Sequence, residues 1–112
     1  MPRVAVLQMT SGIDPAANAA VLADAVADAA AGGAAMLFTP EMSGLLDRDR
    51  ARAKAHVLPE AASPVLAAVR AAAKAQAIWV ALGSLPIERP DGRWANRSFV
   101  LNPQGVIVAR YD

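Results

Sequence analysis

The sequence predicts an α/β fold built around a mixed β-sheet. Three apolar runs, at 4–9, 34–39 and 77–83, are predicted to be buried strands, and helical segments separate them. A strand, a helix and a second strand form the unit in which parallel strands neighbour each other. Beyond the third run, turn signals at 90–92 and 102–105 separate short strands, as in antiparallel neighbours. The expected order is β-α-β-loop-α-β-β-β, with parallel strands first.

Both predicted helices begin at a residue pair that favours helix initiation. Asp14-Pro15 and Ser63-Pro64 each place an N-cap residue before a proline at the first helical position. Gly32-Gly33 is predicted to end the first helix. Its inward face is predicted to carry Asn18, Val21, Leu22, Ala25, Val26 and Ala29. Since two helices are too few to cover both faces of such a sheet, we expect them on one face only.

Composition restricts the class of protein. The chain has 112 residues and a formal net charge of +1, which fits one domain and gives no reason to expect nucleic acid or a membrane as partner. The sequence opens without the pattern of a signal peptide, and its apolar runs fall short of the ~20 residues that span a bilayer. We therefore predict a cytoplasmic protein. The absence of cysteine excludes a disulfide scaffold, a thiolate metal site and a cysteine nucleophile within these residues.

Glu41 is the strongest functional candidate in the sequence. It follows an apolar strand directly, and open parallel sheets bind ligands beyond the carboxyl ends of their strands. An exposed carboxylate at a strand end is also common without any function, so position alone leaves both interpretations open. Met42 and Leu46 are weaker candidates for substrate binding, because apolar residues in such a loop can equally well anchor it.

Other residues that often carry chemistry are predicted to be structural. His56 has no second histidine at ligand spacing, which favours a surface position over a metal ligand. Asn96 is predicted to bond within a turn or at the sheet end, and Trp79 and Trp94 to pack in the core or on the sheet face. The glycines form neither a dinucleotide-binding loop nor a P-loop. We predict no metal and no cofactor.

Taken in order, these segments resemble the N-terminal part of the carbon–nitrogen hydrolase (nitrilase) superfamily. Residues 4–9 resemble its first strand, and Leu-Phe-Thr-Pro-Glu at 37–41 resembles the segment that carries its catalytic glutamate. Residues 94–105 resemble a hairpin in which an Asn, an apolar strand and a turn ending in Gly recur. Residues 106–111 resemble the strand that leads to the catalytic lysine. The specificity lies in the ordered set across the full length.

The resemblance implies the N-terminal part of an α-β-β-α sandwich and a Glu-Lys-Cys triad that hydrolyses non-peptide carbon–nitrogen bonds. In that triad the cysteine forms a thioester, the glutamate is the general base and the lysine stabilises the tetrahedral intermediate. Only Glu41 carries over to this sequence. The lysine is expected directly after Asp112 and the cysteine further on. Residues 1–112 are therefore expected to be a partial domain that continues, and to be inactive alone.

Within the superfamily, the chain most resembles the stand-alone small amidases that act on ω-amides or deaminated glutathione. This implies a small-molecule amide as substrate and a homo-oligomeric full-length protein. Glutamine-amidohydrolase domains of larger synthetases stay open as another branch. Two further alternatives stay open: a catalytically inactive α/β binding or interaction module, and a degenerate homologue that lost the triad and serves as a structural partner. The module predicts that both sheet faces are covered, whereas the hydrolase predicts a lysine and a cysteine downstream.

Overall fold

The computed structural model describes residues 2–112, and its centre is a five-stranded mixed sheet with the strands in chain order. The strands are β1 (Val4–Val6), β2 (Met36–Phe38), β3 (Trp79–Glu88), β4 (Trp94–Leu101) and β5 (Ile107–Tyr111). The helices are α1 (Pro15–Ala31), α2 (Arg50–Ala53) and α3 (Pro64–Gln76), and a 3₁₀ turn spans Glu60–Ala62. Parallel pairing joins β1, β2 and β3, and antiparallel pairing joins β3, β4 and β5. The predicted mixed sheet is confirmed.

Side-chain caps explain where the two long helices begin. Asp14 accepts a hydrogen bond from the backbone N–H of Ala16 at 3.0 Å, and Ser63 accepts one from Leu66 at 3.2 Å. Each cap satisfies a backbone N–H that lacks a partner within the helix. Both predicted helix starts are therefore confirmed, and α1 ends at Gly32 as expected.

The two long helices, α1 and α3, pack on each other and on one face of the sheet, and together they enclose the main core. Its buried members on the helices are Leu22, Val26, Ala29, Val65, Leu66, Val69 and Ala73. Strand residues opposite them include Leu37, Val80, Leu82, Phe99 and Leu101. The prediction for Val21 is wrong, because it lies beside the buried stripe of α1 and is 44% exposed. The expectation of helices on a single face is confirmed.

β1 differs from its prediction as a long buried strand over residues 4–9. It spans only Val4–Val6, and the exposed fractions of Val4 and Val6 are 56% and 74%. Since β1 is an edge strand that pairs with β2 alone, and helices cover one sheet face, only Ala5 turns toward the core. The continuous apolar run therefore marks a strand with two apolar faces, of which one lies open.

The sheet face opposite the helices is open and apolar. The register aligns Val6 with Phe38, and both side chains are exposed on this face. Trp79 and Tyr111 lie on the same face and are 40% and 78% exposed. We name this surface, defined by Val6, Phe38, Trp79 and Tyr111, the open face. Exposed apolar surface of this kind is typical of an interface.

β3 continues beyond Gly83, where the sequence predicted its end. The strand runs to Glu88, and a bulge between Leu82 and Leu85 shifts its register against β4. Glycine inside a strand often marks a bulge or a close backbone approach rather than the end of the strand. The change of composition at Gly83 therefore reflects an interruption within one strand.

Gly105→Ala is expected to destabilise the protein through the contact between the β4–β5 turn and α3. Gly105 has φ 76°, and an added Cβ would lie 2.6 Å from the carbonyl oxygen of Arg70. We expect the free energy of unfolding to fall by about 2–4 kcal/mol, from backbone strain plus overpacking. Gly92→Ala is the matched control, because Gly92 has φ 81° but no atom near its Cβ position. Equal losses in chemical denaturation of the two variants would contradict the prediction.

Candidate functional site

Glu41 lies in the turn that follows β2, and its side chain is exposed. Gly83 on β3 packs directly against the backbone of Thr39 and Pro40, where an added Cβ would overlap their carbonyl groups. Ser98 on β4 donates a hydrogen bond to the carbonyl oxygen of Gly83. The Glu41 turn is therefore built against the bulge of β3, and β3 is in turn held by β4.

Three buried hydroxyl groups hold the Glu41 turn in place. Thr39 accepts a hydrogen bond from the backbone N–H of Gly83 at 3.1 Å, and Ser84 accepts one from Met42 at 2.8 Å. The third hydroxyl, that of Ser43, donates to the carbonyl oxygen of Ser84 at 3.5 Å, and the backbone N–H of Ser43 donates to the same oxygen at 3.1 Å. Hydrogen-bonded buried polar groups of this kind rigidify the segment that they join. The turn that carries Glu41 is thus fixed on both sides of that residue.

Met42 has a left-handed backbone conformation, with φ 52°. This conformation is uncommon for a residue other than glycine, and such strain concentrates at functional sites. The hydrogen bond from its N–H to Ser84 helps to hold it. Met42 directly follows Glu41, so its constrained backbone fixes the direction of the chain immediately after Glu41.

Asn18 has a role that the sequence did not reveal. It was predicted only to face inward on α1, and it is buried with 4% exposure. Its amide group donates to the carbonyl oxygens of Gly12 and Gly44 at 2.9 and 3.0 Å, and its carbonyl accepts from the N–H of Gly12 at 3.0 Å. Asn18 therefore joins the β1–α1 loop to the Glu41 loop. The available signal was an amide within an otherwise apolar helix stripe.

The loop after the Glu41 turn has a small core of its own. Leu45 is buried with Ala53 and Val57, and Trp94 packs against this cluster. The guanidinium of Arg50 lies 4.0 Å from the centre of the Trp94 ring, which is a cation–π contact. The loop is thus anchored to the β3–β4 hairpin, and Leu45 is one of its anchors.

The two weaker candidates from the sequence lie at different positions relative to Glu41. Met42 is its neighbour in the turn and is half-buried. Leu46 is 50% exposed, and its backbone N–H donates to the carbonyl oxygen of Gly12 at 3.1 Å. A substrate contact by either side chain stays a prediction.

Three residues that were predicted to be structural, His56, Asn96 and Trp79, are exposed in the structure. Trp79 lies on the open face. Within residues 2–112, no group of three or more His, Cys, Asp or Glu side chains could hold a metal ion. None of the helices in this described range is long and apolar enough to cross a membrane.

A charged cluster joins the 3₁₀ turn to the end of the sheet. Glu60 accepts hydrogen bonds from Arg110 at 2.8 Å, through both carboxylate oxygens, and from Arg97 at 3.3 Å. Arg97 also donates to both carboxylate oxygens of Asp112, at 2.6 and 3.1 Å. Hydrogen bonds from Arg110 lower the pKa of Glu60, and those from Arg97 lower the pKa of Asp112. We name these four residues the Glu60 cluster.

The chain belongs to the carbon–nitrogen hydrolase family, which it matches over residues 3–112. It is similar to the NitN amidase from Nesterenkonia sp. AN1, with 27% identity and a TM-score of 0.83. The alignment covers 99% of this chain and 43% of the amidase. A variant of the same amidase in complex with butyramide is 27% identical, with a TM-score of 0.82, over 98% of this chain and 42% of that one.

A relative found by sequence similarity supports the same family assignment. The chain is 32% identical over 108 residues to the nitrilase and fragile histidine triad fusion protein NitFhit of Drosophila melanogaster. That match covers 96% of this chain and 23% of the relative. The chain thus spans less than half the length of the proteins that it matches. The superfamily predicted from the sequence is confirmed, while the small-amidase branch stays a prediction.

Proposed function

We propose that this chain forms the N-terminal part of an amidase that hydrolyses the carbon–nitrogen bond of a small amide, with Glu41 as general base. The observation that carries the proposal is the rigid turn around Glu41, held by buried hydroxyl groups within a chain of the carbon–nitrogen hydrolase family. A rigid backbone that presents a carboxylate at the end of a strand suits proton transfer, because a general base must stay within hydrogen-bond reach of its partner. The solved structures that it resembles are amidases.

In this proposal the other two members of the triad follow Asp112. Glu41 takes the proton of a cysteine thiol, the thiolate attacks the amide carbon, and the lysine stabilises the oxyanion. Glu41 gives that proton to the amide nitrogen, the carbon–nitrogen bond breaks, ammonia leaves and a thioester forms. Glu41 then takes a proton from water, which attacks the thioester and releases the carboxylic acid and the thiol. No cysteine occurs in these 112 residues, so this chain alone is proposed to be inactive.

The end of β5 suits a lysine at the next position. Tyr111 pairs with Ser98, whose hydroxyl bonds Gly83, and Gly83 contacts Pro40. This row of contacts links the face of Tyr111 to the turn of Glu41. Because side chains alternate along a strand, an extended residue directly after Asp112 shares the face of Tyr111. A lysine there would approach the site from the sheet side.

The open face supports the further proposal that the domain continues as an α-β-β-α sandwich. A second sheet from the rest of the chain would bury Val6, Phe38, Trp79 and Tyr111, which water otherwise contacts. The alternative of a self-contained binding module required both sheet faces to be covered, and this face is not. We also propose a homo-oligomeric protein of the small-amidase branch, as the resemblance implied, and the cytoplasmic location that the sequence predicted.

The test begins with the coding sequence beyond Asp112 and continues with the full-length product. We expect a lysine codon directly after Asp112, a cysteine codon well downstream, and ammonia release from short aliphatic amides. A stop codon after Asp112 would contradict the proposal. A downstream sequence that continues the family pattern but lacks the lysine or the cysteine would instead favour the degenerate structural partner.

A further inference from the structure

Glu60 joins elements that are far apart in sequence. It lies in the 3₁₀ turn before α3, whereas Arg97 is on β4 and Arg110 on β5. Its carboxylate accepts hydrogen bonds from both guanidinium groups, and Arg97 also forms an ion pair with Asp112. The side chain of Glu60 is 23% exposed and that of Arg97 is 19% exposed. The pair is therefore more shielded from solvent than an ordinary surface ion pair, for which little energy is expected.

The geometry of the cluster restrains the last residues of the sheet. Arg97 presents a planar fork to Asp112, and such bidentate pairs fix orientation as well as distance. Arg110 makes a second bidentate pair with Glu60, two residues before Asp112. The end of β5, an edge strand with one neighbour, is therefore restrained by two pairs, Arg110–Glu60 and Arg97–Asp112, on the sheet face that the helices cover.

We propose that Glu60 and Arg97 are positioning residues for the catalytic lysine, an inference that rests on the proposed function. The lysine of that proposal follows Asp112 directly, so the orientation of Asp112 sets the backbone from which it projects. A displacement of about 1 Å in a catalytic group can cost on the order of 100-fold in rate. The cluster acts through the backbone of β5, because its side chains occupy the face opposite Tyr111.

The test compares kcat and KM for amide hydrolysis in the full-length protein and its Glu60→Gln variant. Glutamine keeps the size of the side chain but loses the charge and one of the two acceptor oxygens. We expect kcat, normalised to folded enzyme by near-UV circular dichroism, to fall about 10- to 100-fold, with KM within about twofold. A purely structural role would lower the melting temperature but leave the normalised kcat unchanged.

Arg97→Lys is the second variant, in case Glu60→Gln fails to fold. Lysine keeps the positive charge but lacks the fork that joins Asp112 and Glu60 together, so the same fall in kcat is expected. Asp91→Asn is the matched control, because Asp91 forms an exposed pair with Arg89 in the β3–β4 turn. Normal kcat in a folded Glu60→Gln or Arg97→Lys enzyme would overturn the inference and leave the amidase intact. An inactive wild-type protein would overturn the proposed function as well.

Discussion

Glu41→Gln is expected to abolish amide hydrolysis by the full-length protein without unfolding it. The amide has the size of the carboxylate but cannot accept the proton of a thiol or of water. Because general-base catalysis contributes about 10²–10⁴-fold, we expect kcat/KM to fall by at least 10²-fold. Glu41 is exposed, and the hydrogen bonds of its turn come from the backbone and from Thr39, Ser43 and Ser84, so the melting temperature should stay unchanged.

Glu88→Gln is the matched control for loss of a carboxylate. Glu88 ends β3, and its backbone N–H bonds the carbonyl oxygen of Leu58, a bond that the substitution leaves in place. We expect this variant to keep wild-type kcat/KM. Full activity in Glu41→Gln would show that another group is the base, while equal losses in both variants would point to a general electrostatic effect.

The parts of the fold that the sequence predicted are those set by local physics. Asp14 and Ser63 cap helices because each presents a side-chain oxygen at a helix start, a signal contained within four residues. The order of parallel and antiparallel strands follows from connection lengths. The predictions were wrong where residues distant in sequence determine the burial of an element. β1 is half open because only one of its faces meets a helix, and no local pattern reveals which layers are present.

The candidate site shows the same division. Glu41 was found because its position after a strand and its segment are visible in the sequence. The residues that hold its turn were missed, because Ser84 and Asn18 act across 42 and 26 residues of sequence. An isolated Ser or Asn carries no sign of its partner. Gly83 was interpreted as the end of a strand. Its role is instead to leave room for the backbone of Thr39 and Pro40, which a Cβ atom at this position would overlap.

Gly83→Ala is expected to damage both stability and activity. An added Cβ would overlap the carbonyl groups of Thr39 and Pro40, which are backbone atoms and cannot rotate away. The segment before Glu41 must then move, or β3 must leave its register at the bulge. We expect a loss of about 1–3 kcal/mol in the free energy of unfolding. Since Glu41 follows Pro40 directly, we also expect kcat to fall by about 100-fold.

Two other glycines separate this effect from the general cost of replacing glycine. Gly32 ends α1 with φ −78°, and its added Cβ would meet its nearest atoms at 3.5 and 3.6 Å, an ordinary contact. Gly44→Ala would approach the Cδ2 atom of Leu85 at 2.7 Å, which is the end of a side chain that can rotate. We therefore expect Gly32→Ala to be neutral in stability and Gly44→Ala to be intermediate. Chemical denaturation and amide-hydrolysis rates of the three variants give the order.

The order of the three variants tests whether the β3 bulge holds the general base. If the contact between Gly83 and Pro40 fixes Glu41, the normalised kcat falls in Gly83→Ala even under conditions where the variant is fully folded. In Gly44→Ala the side chain that must shift is that of Leu85, and Ser43, which is hydrogen-bonded to the backbone of Ser84, separates residue 44 from the Glu41 turn. The kcat of Gly44→Ala should therefore fall less than its loss of stability implies. Wild-type kcat in folded Gly83→Ala would mean that Glu41 reaches its position without this contact, and the buried hydroxyl groups alone would then orient it.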